Sequence, residues 1–188
     1  MRHTALLIID MQRDFVVPGA PCAVGEAGVA VDGISRALAV FRGRGWPVVY
    51  VTRSYRADGS NVEYTRRGGF LSGERQCCLE GSEGARIVDE LLPLPGETVI
   101  TKPSFSAFFH TELDLILRNR SITGLAVTGV NTANCVRATV FDAVGLGYRT
   151  TVISDATAAD TAQITQDNLR DMRAIGVDTP PLDEFVKG

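Results

Sequence analysis

The sequence predicts an α/β protein built on a parallel sheet, and three observations predict it. Short runs rich in β-branched residues alternate with longer segments of helical periodicity, which is the pattern of βαβ units. The first run, Thr4–Asp10 (TALLIID), is apolar without alternation until its last residue, as a strand covered on both faces must be. Finally, 188 residues, 45% of them hydrophobic and 22% charged, are enough for one domain spanning residues 1–188 with a single core that needs no covalent staples.

The elements follow in order. After the first strand, Val29–Arg44 carries Ile34, Leu38 and Phe41 at helical spacing, and Gly43 and Gly45 stop it. Pro47–Arg53 (PVVYVTR) is the second strand. Residues 54–81 are rich in Gly, Arg and Ser, too long for an ordinary connection, and are expected to form a functional loop with little regular structure. Ala85–Leu92 is predicted as a helix ended by Pro93 and Pro95, Glu97–Thr101 as the third strand, Phe108–Arg120 as a helix and Ile122–Thr128 as the fourth strand. A helix over Thr132–Leu146, a strand over Tyr148–Ser154 and a helix over Ala162–Ile175 complete the alternation. The closing GVDTPPLDEF can supply a short edge strand. No repeat, linker or low-complexity tract interrupts this order.

Composition narrows the function. The net charge is -3, with 19 Lys and Arg scattered among 22 Asp and Glu, so no basic field exists to hold a phosphate backbone and nucleic acid is not expected as a partner. No apolar run approaches the ~20 residues of a membrane helix, and the apolar pentad behind Met1, Arg2 and His3 is too short for a leader's hydrophobic region. A cytoplasmic protein that does not bind membranes is the expectation. Cys22, Cys77, Cys78 and Cys135 lack metal-ligand spacing, and only His3 and His110 could add imidazoles. Neither a metal nor another cofactor is therefore expected, and a thiol would serve through its reactivity. Among the 19 basic side chains only Lys102 and Lys187 are Lys. An internal ammonium in a sequence that otherwise uses Arg is a chemical exception, because Lys can lose its proton and Arg cannot.

Ligands of an open parallel sheet bind beyond the carboxyl ends of its strands. Three reactive groups fall there: Asp10 after the first strand, Lys102 after the third, and Cys135 where the fourth strand turns into a helix. A helix N-terminus offers unpaired N–H groups that lower a thiol's pKa and can hold an oxyanion. Asp10 can act as the proton acceptor, with Lys102 keeping the pair in register. Each residue alone also has a structural explanation: a small buried thiol, a turn cap and a solvated charge. Three at one sheet edge point to catalysis. Cys22, Cys77, Cys78 and His110 are read as incidental.

At these residues a resemblance becomes specific. Asp10, Gln12, Asp14 and Phe15 form Asp-x-Gln-x-Asp-Phe; Lys102 opens Lys-Pro-x-x-Ser-Ala-Phe, followed by Thr111 and Leu113; Gly129–Val136 reads Gly-Val-x-Thr-x-x-Cys-Val. With Thr139, Asp142-Ala143 and Asp155-Ala156-Thr157, this set resembles the isochorismatase-like cysteine hydrolase superfamily over nearly the whole chain. The resemblance implies a three-layer, Rossmann-like fold with six parallel strands in the order 3-2-1-4-5-6 and helices on both faces. It implies a triad of Asp10, Lys102 and Cys135, a cis peptide between Val130 and Asn131, and an oxyanion hole from the N–H groups of Asn131 and Cys135. The implied reaction is attack of Cys135 on an amide or ureido carbonyl and hydrolysis of the resulting thioester, in a self-associating protein.

Nicotinamidases of that superfamily place an Asp and His residues near the end of the second strand to bind a metal. Here Thr52–Ser60 holds no His, which argues against both the metal and that activity. Asp58–Glu63, with Arg66 and Arg67, is similar to members acting on ureido or carbamoyl compounds. Arg56, Arg66 and Arg67 can meet a substrate carboxylate or stay solvated, and Phe15, Phe105 and Phe108 are expected on the site wall. Two other readings remain open: a vinyl-ether hydrolase using the Asp and Lys alone, and a catalytically silent binding protein on the same fold.

Overall fold

The computed structural model describes residues 3–187; Met1 and Arg2, with which the leader reading begins, and Gly188 lie outside the described residues. Five parallel strands, β1 (Thr4–Ile9), β2 (Val48–Arg53), β3 (Thr98–Lys102), β4 (Gly124–Val130) and β5 (Arg149–Ala158), form one sheet in the order β3-β2-β1-β4-β5. The helices are α1 (Arg13–Val16), α2 (Ala27–Gly43), α3 (Tyr64–Leu71), α4 (Leu113–Asn119), α5 (Arg137–Gly145), α6 (Ala162–Ala174) and α7 (Leu182–Phe185). None of them is long and apolar enough to cross a membrane.

Alternate residues of β1 serve opposite faces, as the two-residue period of a strand requires. Leu6 and Ile8 pack with Ile34, Leu38 and Phe41 of α2 and with Leu182 of α7. Ala5, Leu7 and Ile9 pack with Leu113 and Leu117 of α4, Val140 of α5, and Leu169 and Met172 of α6. The three-layer expectation is met. Of the three glycines in α2, the interior Gly28 and Gly33 cost about 1 kcal/mol each against Ala, while burial of Ile34, Leu38 and Phe41 returns roughly 1.5–3 kcal/mol each. Gly33 also has a steric reason, because a Cβ there would sit 1.9 Å from the Asp155 carbonyl oxygen of β5.

The sheet has five strands rather than six. The segment expected as an edge strand does run beside β5, with a bridge between Thr151 and Asp178 and N–H bonds from Val152 to Asp178 (2.9 Å) and Ser154 to Pro180 (2.9 Å). Pro180 and Pro181 have no N–H to return, so no ladder can form. Ala85–Leu92 is not a helix either. Its backbone is drawn alongside residues 11–14, with Arg13 N–H to Arg86 O (2.9 Å) and Val88 N–H to Met11 O (3.1 Å), and only Asp89–Leu91 makes a 3-10 turn. The helix expected over Phe108–Arg120 starts at Leu113, because His110 takes a left-handed conformation (φ 51°). Within the loop read as irregular, residues 64–71 wind into α3.

Candidate active site

The chain runs through β1, β2 and β3 to one edge of the sheet and then returns to β4 on the other side of β1. The crevice beyond β1 and β4 is thus the switch point at which such sheets bind ligands. Asp10 follows β1 directly, Arg53 ends β2 and Lys102 ends β3, with Arg53 and Lys102 in register as ladder partners. β4 presses against β1 at Gly129 (φ +108°), where a Cβ would lie 2.1 Å from the Ile9 carbonyl oxygen; glycine is required on both counts. Beyond Val130 the peptide bond to Asn131 is cis. Thr132–Val136 then forms a π-helical turn carrying Cys135. The Asn131 side chain caps this turn by accepting from Ala133 N–H (2.9 Å), and Thr132 bonds Thr157 (2.9 Å), whose hydroxyl donates to Gly129 O (2.9 Å).

Asp10, Lys102 and Cys135 are brought together and are all buried. The Lys102 ammonium lies 2.8 Å from Asp10 Oδ2, donates to Ser104 O (2.9 Å), and contacts Cys135 Sγ at 3.4 Å. Neither Asp10 oxygen receives a well-directed hydrogen bond among the described residues, so Lys102 meets Asp10 as a charge. A second cation reaches the sulfur: Arg53, with no exposed side-chain surface, places Nη2 3.5 Å from Cys135 Sγ and 2.7 Å from Ser104 O. Its Nη1 pairs with Glu63 Oε1 and with the Tyr55 hydroxyl, which itself donates to Glu63 Oε2 (2.6 Å).

The charges settle in a definite way. Burial works to discharge Arg53, but the groups around it, Cys135, Asp10, Tyr55 and Glu63, outweigh burial and hold it protonated well above its usual range. Burial likewise opposes the Glu63 carboxylate, yet Arg53 and the Tyr55 hydroxyl keep its pKa below the ordinary value. The expectation of a lowered thiol pKa at Cys135 is corrected. Burial and the charge of Asp10 push the thiol up, against the pull of Lys102 and Arg53, so the resting sulfur keeps its proton and needs a base.

A cavity of about 220 Å³ opens beside the thiol, lined by Asp10, Phe15, Arg66, Asn131 and Cys135 among others. Phe15 is therefore on the wall. Phe105 and Phe108 lie outside that cavity, half-buried against the core cluster that includes Leu113 and Val140, with Phe108 stacked on Tyr148 at 5.7 Å and the Phe105 ring faced by the guanidiniums of Arg53 (5.7 Å) and Arg66 (4.5 Å). Arg56 is exposed and does not line the cavity; its backbone N–H donates to Asn61 Oδ1 (2.8 Å). Arg53 and Tyr55 are not among the residues the sequence singles out, and Glu63 enters there only as the end of the Asp58–Glu63 run, not as the partner of Arg53. The available signal was an Arg ending an otherwise apolar strand at the same edge as Asp10 and Lys102. Gln12 shows why its motif matters: its amide donates to Arg53 O and Ala85 O (both 2.7 Å) and accepts from Arg53 N–H (2.6 Å), fixing the end of β2. Among the described residues no group of three or more His, Cys, Asp or Glu is placed to hold a metal ion.

Fold and site together define an α/β protein whose buried thiol, carboxylate and ammonium meet at the switch point of a parallel sheet. The chain belongs to the isochorismatase family, whose domain model, described as Isochorismatase domain, matches residues 4–180. An Arabidopsis thaliana protein described as a probable inactive nicotinamidase is 43% identical over 186 residues, covering 98% of this chain and 95% of its own length. The ureidoacrylate amidohydrolase of Cronobacter sakazakii is 32% identical over 172 residues, covering 82% of this chain and 74% of its own. The crystal structure of an isochorismatase family protein from Desulfovibrio vulgaris superposes with a TM-score of 0.94 at 44% identity, covering 100% of both chains.

Proposed function

We propose that this protein is a cysteine-dependent hydrolase of a small amide, with ureido or carbamoyl compounds as its substrate class. The observation that carries the reading is the thiol of Cys135 held against Lys102 (3.4 Å) and Arg53 (3.5 Å), with Asp10 paired to the same ammonium at 2.8 Å. The carboxylate and thiol share one negative charge between two cations. Moving the proton from sulfur to Asp10 shifts that charge onto Sγ without changing the total, so the low-dielectric site does not have to create charge.

The thiolate attacks the carbonyl carbon, and the oxygen gains a full negative charge as the centre becomes tetrahedral. The backbone N–H groups of Asn131 and Cys135 are the donors assigned to that oxygen. Collapse breaks the C–N bond while Asp10 returns its proton to the leaving amine, which departs as ammonia from a terminal amide. A water molecule, losing a proton to Asp10, then attacks the thioester. Its collapse frees the acid and returns the proton to Cys135. The sum is amide plus water giving acid plus amine.

Two findings support this assignment over the alternatives. A vinyl-ether hydrolase that works through Asp and Lys alone has no use for a thiol flanked by two cations, and a relative 32% identical is named for hydrolysis of a ureido amide. The Arabidopsis relative's description concerns nicotinamide cleavage; Asp10, Lys102 and Cys135 are all in place in this chain. The test is ammonia release from a panel of amides, ureides and carbamoyl acids by the native protein and by Cys135→Ala. Turnover lost in the variant is the expected result. Turnover that survives it would remove Cys135 as nucleophile and leave the chemistry to Asp10 and Lys102.

A further inference from the structure

The arginines show a single irregularity. Among the described residues five of them are buried or half-buried: Arg13, Arg42, Arg53, Arg66 and Arg137. Four have a carboxylate within 4 Å, from Asp89, Glu97, Glu63 and Asp171 respectively. Arg66 has none among the described residues, although it is half-buried on α3 and lines the cavity that holds Cys135. Its guanidinium lies 4.5 Å above the Phe105 ring. That contact offers a π face and no anion, so it orients the group without neutralising it. Arg75, which is exposed and whose backbone N–H bonds Gly69 O (3.0 Å), lines the same cavity and adds a second positive charge there. For the half-buried Arg66, partial desolvation is costly unless something pairs with it.

The acidic groups of the cavity do not meet this need. Asp10 is engaged by Lys102 at 2.8 Å. Asp160 accepts from the Asn131 amide (3.3 Å) and Gly25 N–H (3.4 Å) and lies within 4 Å of no arginine. The remaining wall at α3 carries no charge, with Val62, Thr65, Gly69 and Phe70, and the cavity is at the small end for ligand pockets.

We propose that Arg66, assisted by Arg75, is an anion subsite, and that the substrate is a ureide or carbamoyl amide carrying a carboxylate. This deepens the amide-hydrolase reading and rests on it. The carboxylate meets a planar guanidinium that can bind it through two hydrogen bonds, which fixes the far end of the molecule and so aims the ureido carbonyl at Sγ. A neutral ureide of the same shape would leave Arg66 unpaired and forgo that orientation.

The subsite can be tested without knowing the substrate. Iodoacetate and iodoacetamide differ little in size but differ in charge, and both alkylate a thiol, displacing iodide as the sulfur gives up its proton. Site-resolved rates at Cys135 are measured for both reagents at one pH in the native protein, Arg66→Met and Arg66→Lys. Arg66→Met is expected to slow iodoacetate about tenfold relative to iodoacetamide, with Arg66→Lys restoring part of the difference. Equal slowing of both reagents, or no change in their ratio, would overturn the subsite. In turnover, Arg66→Met should raise KM for ureido carboxylates more than that for their neutral amides. If the alkylation ratio responds and no amide is turned over by the native protein, the subsite stands and the hydrolase reading falls. If amides are turned over and the ratio does not respond, the reverse holds.

Discussion

At Cys135 four forces act on one proton. Burial and Asp10 hold it on the sulfur, while Lys102 and Arg53 pull toward the thiolate. This balance makes Asp10→Asn an informative change, because its two effects have opposite signs. Removing the carboxylate removes the proton acceptor, so hydrolysis should fall by a factor of about 10²–10⁴. It also removes a negative charge that raises the thiol pKa, with Lys102 and Arg53 left in place, so iodoacetamide should alkylate Cys135 faster at neutral pH than in the native protein. Parallel decline of both rates would show that Asp10 only holds the site together. Asp10, Lys102 and Cys135 stood out because strand ends can be located from apolar runs and because internal Lys is scarce in this chain. Arg53 ends a strand in the same way but is one arginine among many, and nothing in the sequence shows that its partner is Glu63, ten residues further on.

At the scale of elements, that partnership links the nucleophile to the cavity wall. Glu63 immediately precedes α3, and α3 supplies Thr65, Arg66, Gly69 and Phe70 to the cavity. The Arg53–Glu63 pair is almost wholly withdrawn from solvent, with 0% and 11% of the side chains exposed. Glu63→Gln keeps the shape and removes the charge, leaving Arg53 buried without its carboxylate. Breaking such a pair costs about 3 kcal/mol, which should appear as a lower urea midpoint at an unchanged slope. Stability equal to the native protein's would mean that Arg53 is compensated by Asp10 and the sulfur alone. Element boundaries were least legible where backbone partners are distant in sequence. The helical spacing over Ala85–Leu92 competes with residues 11–14 for the same N–H and C=O groups, and no local pattern reveals that competition. The helix α2 shows the opposite case: its apolar stripe is long and faces one sheet, so pattern and packing agree.

For the molecule as a whole, burial sets the pH range over which the fold holds. A hydrogen bond with Cys22 favours the Cys77 thiolate, but the Cys78 thiol and burial outweigh it and push Cys77 up to about 12. Burial, with Asp114 beside it, pushes the Tyr148 phenol up to about 12; burial also raises Tyr50 and Tyr55, and Cys135 moves in the same direction. These groups favour their neutral form in the fold. Their contribution is complete below the unfolded thiol and phenol values and is lost as pH rises through the higher folded ones, because the folded state then binds more protons than the unfolded chain. On the acid side burial opposes the Glu63 and Glu97 carboxylates, but Arg53 and Arg42 outweigh it and hold both below their ordinary value. That contribution is present above about pH 4.3 and is lost as pH falls through the depressed values. The urea midpoint should therefore be flat between about pH 5.5 and 8 and decline on either side. Cys135→Ala should make the alkaline limb shallower by up to one proton, about 1.4 kcal/mol per pH unit, and leave the acid limb unchanged. A midpoint that climbs from pH 8 to pH 10 would contradict this account, since it requires the unfolded chain, rather than the fold, to hold the thiol and phenol protons more tightly.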